Sequence, residues 1–159
     1  MDELSYRNLG PGDAAQLHEI ASDWAVVRQL GGWPWPPRKE FSEARSAPYG
    51  GDGFVWGVFE GRRLLGTVGV VNNDLGYMYR MDLAGRGIAT RAGRAALTAA
   101  FAGEVEAITG SAWADNPASA RVLLKLGFQE LPLQLDWSKS RREVVAIRRF
   151  RLARADWGG

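Results

Sequence analysis

Apolar residues near the start of the chain recur at helical spacing. They occupy positions 14, 17, 20, 21 and 24, and the Gly12-Asp13 pair before them is typical of a helix start. A second short helix is predicted over residues 23–30, ending at Gly31-Gly32. Residues 33–37 (Trp-Pro-Trp-Pro-Pro) cannot form a helix or a central strand, because proline has no backbone N–H to donate. The pattern therefore predicts two short helices followed by an extended loop.

Three segments with strand-like patterns come next. Residues 54–60 and 64–71 are predicted to pair in an antiparallel sense around the Gly61-Arg62 turn, and residues 72–74 form a turn before a strand at 75–81. An alanine-rich helix is predicted from Arg86 to about Ala102, and a further strand over 105–112. A strand, a helix and a strand in this order predict a parallel βαβ unit with a right-handed crossover.

A strong helix start signal opens the last third of the chain. Asn116 suits the N-cap and Pro117 the first helical position, while Gly127 is a natural stop. Strand patterns resume at Phe128 and again over residues 144–152. The predicted architecture is α/β, a single domain over residues 1–159 in which an antiparallel meander leads into one parallel βαβ unit.

Composition excludes several classes of chemistry. The 159 residues are 46% apolar, which suits one core, and no apolar run reaches the length of a membrane span. The N-terminus lacks a secretory pattern, so we expect a cytoplasmic protein without a membrane partner. The absence of cysteine excludes disulfides and thiolate chemistry. The single histidine, His18, argues against a metal cluster or a Ser-His-Asp triad, and we expect it on a helix, exposed or half-buried.

The net charge of +2 is too small to indicate nucleic-acid binding by itself. Basic residues do concentrate towards the end of the chain. The favoured interpretation of this cluster is a solvated outer face of the last strands, and the alternatives are an anionic surface partner such as a ribosome, or an RNA-binding module. The cluster comprises Lys139, Arg141, Arg142, Arg148, Arg149, Arg151 and Arg154.

Residues 82–90 (Asp-Leu-Ala-Gly-Arg-Gly-Ile-Ala-Thr) are the most informative stretch. A Gly-x-Gly turn between a strand and a helix presents backbone N–H groups beside the helix N-terminus, which suits a phosphate or a diphosphate; a tight turn without a ligand is the alternative. A dinucleotide fold would need a small residue at Thr90 and an acid at the far end of the next strand, whereas Glu104 and Glu106 stand at its start. A P-loop would need Gly-Lys-Ser/Thr, which does not follow.

Two segments together resemble the GNAT N-acetyltransferases. Residues 75–90 are similar to their acetyl-CoA signature, Q/R-x-x-G-x-G/A after the fourth strand, and residues 116–128 are similar to their second signature, an Asn-capped helix ending in Leu-Gly-Phe. The opening (7–37) and the ending (150–157) resemble the RimJ/RimL branch, which acetylates protein N-termini. The resemblance implies a mixed, mostly antiparallel sheet with a parallel βαβ unit and about four flanking helices. It also implies acetyl-CoA as cosubstrate, with no metal.

The resemblance also implies a cofactor site. Asp82 stands at the Q/R position and Ala84 precedes the first glycine, so phosphate binding is expected to rely on backbone N–H groups, with Arg86 or Arg91 supplying charge. The two parallel strands would splay apart, and the pantetheine arm would lie in the gap. There it would pair with the backbone around Tyr79, Arg80 and Met81, and it would also contact Asn116. One of the three backbone N–H groups could stabilise the oxyanion that forms in the reaction. The residues expected at the phosphates are Gly85, Arg86, Gly87, Ile88, Ala89, Thr90 and Arg91.

The catalytic assignment is less complete. Many relatives place a tyrosine on the 117–126 helix as the acid for the leaving thiolate, but this position is Leu123, and Ser119 lies four residues earlier on the same face. Ser119 is therefore the candidate that polarises the leaving thiol, with a structural role at the helix start as the alternative. The general base stays open between Glu60, Asp74 and bulk water.

The resemblance implies transfer of an acetyl group to a primary amine by direct attack in a ternary complex. Trp33 and Trp35 are candidates for the wall of the acceptor site, with aromatic packing under a loop as the alternative. The acceptor could be a ribosomal protein, another peptide, an antibiotic or a small amine. A non-catalytic acyl-CoA-binding or regulatory domain on the same fold is the competing function. The oligomeric state is open, with a homodimer among the alternatives.

Overall fold

The computed structural model describes residues 3–159, which form one eight-stranded sheet flanked by helices. The order along the sheet is β1-β2-β3-β4-β5-β8-β6, and β7 also pairs with β8. The strands are β1 (Leu4–Arg7), β2 (Gly53–Glu60), β3 (Arg63–Val71), β4 (Asp74–Tyr79), β5 (Ala107–Trp113), β6 (Gln129–Glu130), β7 (Gln134–Ser138) and β8 (Glu143–Ala153). The helices are α1 (Ala14–Ile20), α2 (Trp24–Val27), α3 (Lys39–Arg45), α4 (Ile88–Phe101) and α5 (Pro117–Lys125).

Local turn chemistry produces the antiparallel meander. Gly61 adopts a positive φ of 59° between β2 and β3, and Asn72 and Asn73 adopt φ values of 51° and 61° between β3 and β4. Two consecutive residues with positive φ suit a tight hairpin whose twist matches that of the strands, and asparagine tolerates this conformation better than most residues. The predicted hairpins are therefore confirmed.

The predicted βαβ unit is also present, because β4 and β5 are parallel and α4 connects them. Small residues let α4 lie close to its neighbours: Ala92 and Ala96 are fully buried, and a Cβ added at Gly93 would lie 2.8 Å from the side chain of Leu126. The predicted boundaries were wrong by two residues. β4 ends at Tyr79 rather than residue 81, and α4 begins at Ile88 rather than Arg86, because Gly87 adopts a positive φ of 73°.

Two elements, β1 and α3, were not predicted from the sequence. β1 exposes two of its four residues, and α3 exposes most of its residues and buries only Ser42. The predicted strand after Phe128 is divided into β6 and β7, which pair with different parts of β8. The helices number five in the described part of the chain, where about four were expected, and the mixed, mostly antiparallel sheet is as predicted.

Candidate functional site

A cleft of about 1030 Å³ lies where β4 and β5 separate. The two strands pair at one position, Asp74 with Thr109, at their N-terminal ends. Further along β4, the backbone N–H of Arg80 donates to the carbonyl of Leu65 in β3 at 3.0 Å. Because neighbouring residues of a strand turn their backbone groups to opposite sides, the N–H of Tyr79 faces the gap. The strands therefore splay as expected, and the free edge of β4 borders the cleft.

The N-terminus of α4 forms one wall of this cleft. Gly87 occupies the N-cap position without a side-chain cap, so the first four N–H groups of the helix, from Gly87 to Thr90, have no intrahelical partner. A Cβ added at Gly85 or Gly87 would meet nothing within 4 Å, and both glycines adopt positive φ values of 83° and 73°. The lining includes Gly85, Gly87, Ile88, Ala89 and Thr90. This wall offers hydrogen-bond donors and a positive helix end to an anion.

Charged side chains near this wall already have partners. Asp82 pairs with Arg63 at 2.7 Å, and the hydrogen bond from Arg63 lowers the pKa of the Asp82 carboxyl. Arg86 pairs with Glu60 at 2.8 Å. Neither Arg86 nor Arg91 is among the residues that line the cleft. The acid at position 82 is thus neutralised locally, and the lining donors at this end are backbone groups.

Tyr79, Arg80 and Met81 all line the cleft, but their side chains differ in environment. The guanidinium of Arg80 donates to the carbonyl of Leu64 at 2.7 Å and pairs with Glu19 on α1, so its charge is engaged outside the cleft. Met81 is 52% exposed. The hydroxyl of Tyr79 is buried without a hydrogen-bond partner among the described residues.

The N-terminus of α5 forms the opposite wall, and its donors are mostly occupied. Asn116 caps the helix with its side-chain oxygen, which accepts from the N–H of Ser119 at 3.4 Å, and Pro117 has no N–H. Both Asn116 and Ser119 line the cleft. Leu123, one turn further on, is fully buried in the core and therefore carries no chemistry at this wall.

Tyr77 joins the two sides of the gap and was not singled out from the sequence. Its hydroxyl lies 2.8 Å from Oγ of Ser119 and 3.2 Å from the Ser119 carbonyl oxygen. Burial raises the pKa of Tyr77 to about 12, with the hydrogen bond to Ser119 acting in the opposite direction. Its ring stacks on Tyr79 with a centroid separation of 5.9 Å. The one signal in the sequence was the alternation of tyrosines along a predicted strand.

The two tryptophans of the proline-rich loop differ in position. Trp33 lines the cleft and makes an edge contact with Phe41 at a centroid distance of 5.0 Å. Trp35 packs on Trp24 at 5.1 Å and does not line the cleft. The geometry thus brings only Trp33 to the candidate acceptor side.

The two carboxylates considered as bases also differ. Asp74 lines the cleft and accepts a hydrogen bond from Oγ1 of Thr109 at 2.6 Å, and burial raises the pKa of its carboxyl against the opposing effects of Thr109 and Arg149. Glu60 is engaged by Arg86 and does not line the cleft. Proximity to the cleft therefore favours Asp74.

The remaining sequence predictions concern residues away from the cleft centre. His18 lies half-buried on α1, as predicted, with Nδ1 2.8 Å from Oγ of Ser42. Several members of the basic cluster bind neighbouring carboxylates: Arg148 pairs with Glu130 at 2.7 Å, and Arg141, whose side chain is only 6% exposed, pairs with Asp115 at 2.6 Å. Arg141 therefore departs from the predicted solvated face.

Among residues 3–159, no group of three or more histidine, aspartate or glutamate side chains is placed to hold a metal ion. Within the same residues, no helix has the length and apolar character that a membrane span requires.

Comparison with protein families identifies the domain. The model of the GNAT acetyltransferase domain matches residues 3–129, and the chain therefore belongs to the GNAT family of acetyltransferases. This confirms the family predicted from the two sequence signatures. No curated protein matches the chain.

Solved structures share the fold at low sequence identity. A spermidine N-acetyltransferase from Vibrio cholerae, in complex with CoA and spermine, has a TM-score of 0.80 and 17% identity, with 96% of each chain covered. RimL, a ribosomal L7/L12 alpha-N-protein acetyltransferase in complex with coenzyme A, has a TM-score of 0.78 and 16% identity over 94% of this chain and 93% of that chain. A ribosomal-protein-S5-alanine acetyltransferase from Vibrio fischeri has a TM-score of 0.73 and 18% identity over 100% and 97%.

Proposed function

We propose that this GNAT acetyltransferase binds acetyl-CoA in the cleft between β4 and β5 and transfers the acetyl group to a primary amine. The observation that carries the proposal is the uncapped N-terminus of α4, whose donors open onto a cleft of about 1030 Å³ where the two strands part. The attack is direct, in a complex that holds both substrates. The protein provides no cysteine that could carry the acetyl group as a thioester.

The diphosphate of coenzyme A is assigned to the backbone N–H groups of Gly85 and of Gly87 to Thr90, because the N–H of Arg86 already donates to the Leu83 carbonyl at 3.2 Å. An anion beside these donors gains both hydrogen bonds and the attraction of the helix dipole. Arg86 would have to leave Glu60 before its charge could contribute, because the two are paired at 2.8 Å. Backbone donors therefore provide the main interaction, and Arg86 and Arg91 have a secondary part.

The pantetheine arm is assigned to the free edge of β4 and to Asn116. The N–H of Tyr79 faces the gap, whereas that of Arg80 is already bound to Leu65. Within the predicted trio Tyr79, Arg80 and Met81, we therefore favour Tyr79 as the donor to the thioester oxygen. Such a donor stabilises the oxyanion that forms when the amine attacks, and one donor of this kind is worth roughly 3–4 kcal/mol.

Ser119 and Asp74 are assigned the proton-handling roles. Ser119 Oγ polarises the leaving sulfur, which takes up the electron pair of the breaking C–S bond. Asp74, whose pKa is raised by burial, is the candidate base for the attacking amine. It lies about 16 Å along β4 from Tyr79, so it accepts the proton through intervening water and not directly. A peptide α-amine, whose pKa is about 8, needs little help, so Asp74 matters most for more basic amines.

The acceptor is proposed to be a peptide N-terminus or a small amine that reaches the cleft beside Trp33. The overall likeness to RimL and to the S5-alanine enzyme supports the first, and the likeness to the spermidine enzyme supports the second. We place the chain with the RimJ/RimL branch and therefore rank peptide N-termini first.

Two measurements test the function. Acetyl-CoA at one hundred times its Kd should raise the free energy of unfolding by about 2.7 kcal/mol, equivalent to roughly 5–10 °C in melting temperature. Release of free coenzyme A should then be followed with a panel of N-terminal peptides, polyamines and amino-sugar antibiotics. No thermal shift at millimolar acetyl-CoA would exclude the cosubstrate. A full shift without release for any amine would favour the non-catalytic acyl-CoA-binding domain.

A further inference from the structure

The hydroxyl of Tyr77 reaches across the gap between β4 and α5 and meets Oγ of Ser119 at 2.8 Å. Both residues line the cleft. We propose that Tyr77 is a positioning residue, which holds the Ser119 hydroxyl so that its hydrogen points to the sulfur of the bound thioester. This inference rests on the proposed function and deepens it, because it explains how a serine on α5 can be oriented for the leaving group.

The arrangement of donors and acceptors supports this direction. A phenol has one hydrogen, which Tyr77 can direct either to Oγ of Ser119 at 2.8 Å or to the Ser119 carbonyl oxygen at 3.2 Å. The shorter distance is the usual one for an O–H···O bond, so we assign the hydrogen to Oγ. The serine oxygen then uses one lone pair to accept, and its own hydrogen stays free for a partner in the cleft. Without Tyr77, the serine hydroxyl could instead rotate to bond a helix carbonyl, as serines in helices do.

The acidity of Tyr77 defines what it can do. Burial raises its pKa to about 12, so the phenol keeps its proton at physiological pH and remains a hydrogen-bond donor. A thiol has a pKa near 8.5, well below that of Tyr77, so a proton transfer from Tyr77 to the thiolate would be unfavourable. Tyr77 therefore orients Ser119 and does not itself protonate the sulfur.

The overall reaction balances without a proton from Tyr77. The amine nitrogen forms the new C–N bond, the C–S bond breaks, and its electron pair goes to sulfur. The amine loses one proton, to Asp74 or water, in becoming an amide, and the thiolate takes one from solvent in becoming a thiol. Ser119 stabilises the sulfur by a hydrogen bond while this occurs, and Tyr77 fixes the direction of that bond.

Tyr77→Phe tests the inference, with Ser119→Ala and the double variant. We expect Tyr77→Phe to lower kcat about tenfold, with the KM for acetyl-CoA and the thermal shift by coenzyme A unchanged. In the Ser119→Ala background the same change should have no further effect on kcat, because its target hydroxyl is gone. Tyr6→Phe is the matched control: Tyr6 is another half-buried tyrosine of the sheet, its pKa is also raised by burial, and it does not line the cleft.

The outcomes separate this inference from the proposed function. A wild-type chain that is not stabilised by acetyl-CoA and releases no coenzyme A overturns both. An active wild type with an equally active Tyr77→Phe variant overturns only the role of Tyr77. Additive losses in the double variant, or a tenfold loss in Tyr6→Phe as well, would show a general packing effect instead and would also overturn it.

Discussion

The two helices that border the cleft begin in opposite ways. At α5, Asn116 caps the first turn and Pro117 removes one donor, so few backbone N–H groups are left without a partner. At α4, Gly87 offers no cap, so four N–H groups have no intrahelical partner, and the residues that carry them line the cleft. Glycine at an N-cap gives up only roughly a few tenths of a kcal/mol relative to a side-chain cap, and a bound anion at the helix end can offset this cost. The N-terminus of α4 is therefore expected to bind through its backbone, and the N-terminus of α5 to act through a side chain.

The largest effect should come from closing the uncapped end. In Gly87→Leu, the new side chain would occupy the open space into which the α4 donors point, and we expect at least a hundredfold loss of acetyl-CoA affinity. By linkage, the stabilisation at one hundred times the wild-type Kd should fall from about 2.7 kcal/mol to about 0.4 kcal/mol or less, so the thermal shift nearly disappears. Differential scanning fluorimetry with acetyl-CoA measures this directly.

Gly61→Leu is the control for backbone strain. Gly61 also has a positive φ, 59°, with nothing within 4 Å of an added Cβ, but it lies in the β2–β3 turn and does not line the cleft. Both variants should lose similar stability without ligand, because both place a side chain in the left-handed region. An acetyl-CoA shift that survives in Gly87→Leu would move the phosphate site away from α4.

The next largest effect should come from Ser119, in the first turn of the capped helix α5. Ser119→Ala removes the proposed hydrogen bond to the leaving sulfur, and we expect kcat to fall about 10- to 100-fold. This is less than the roughly 100- to 10,000-fold typical of groups that transfer a proton, because Ser119 only donates a hydrogen bond. Acetyl-CoA affinity should change less than threefold, since the α4 wall is untouched. Initial rates of coenzyme A release across a range of acetyl-CoA concentrations separate the two parameters. A fall in affinity with kcat retained would assign Ser119 to binding.

The comparison also explains what could be predicted from the sequence. The α4 wall is a local feature, because the strand, the Gly-x-Gly turn and the helix follow one another along the chain. The spacing therefore predicted the helix start to within two residues, although it left a turn without a ligand as the alternative. The Tyr77–Ser119 contact joins residues 42 positions apart and depends on how far β4 and β5 splay. No local sequence pattern specifies how far the two strands separate, so this contact could not be predicted.

The same distinction holds for the fold. The β2–β3–β4 meander is defined by turns of adjacent residues, such as Asn72 and Asn73, and was predicted correctly. β1 has only four residues, and its place is determined by pairing with distant β2, where Leu4 lies opposite Glu60. Similarly, α3 lacks an apolar stripe of its own and was missed for that reason.

Substitution of Asn116 should have a smaller effect, and it tests the capped N-terminus of α5. Its bond to the N–H of Ser119 is 3.4 Å long, beyond the usual 2.7–3.2 Å, so Asn116→Ala should lower the free energy of unfolding by only about 0.5–1 kcal/mol. Asn116→Asp keeps the capping oxygen but loses the amide donor that we assign to pantetheine. We therefore expect Asp to retain the melting temperature while both variants raise the KM for acetyl-CoA a few-fold. An Asp variant with an unchanged KM would leave Asn116 with capping alone.

The smallest effect should come from the acid beside the uncapped end. Asp82 is held by Arg63 at 2.7 Å, and this hydrogen bond lowers the pKa of its carboxyl, so the residue stays charged throughout the neutral range. Asp82→Asn removes one negative charge near the proposed diphosphate and releases Arg63, so acetyl-CoA affinity should rise about two- to threefold at low salt. The gain should fade near 0.5 M salt, because exposed charges are screened there. Asn at position 82 preserves the size of the side chain, so a gain in affinity reports charge. A loss of affinity instead would mean that Asp82 orients the glycine turn. Diphosphate binding at the N-terminus of α4 would then depend on a side chain as well as on backbone N–H groups.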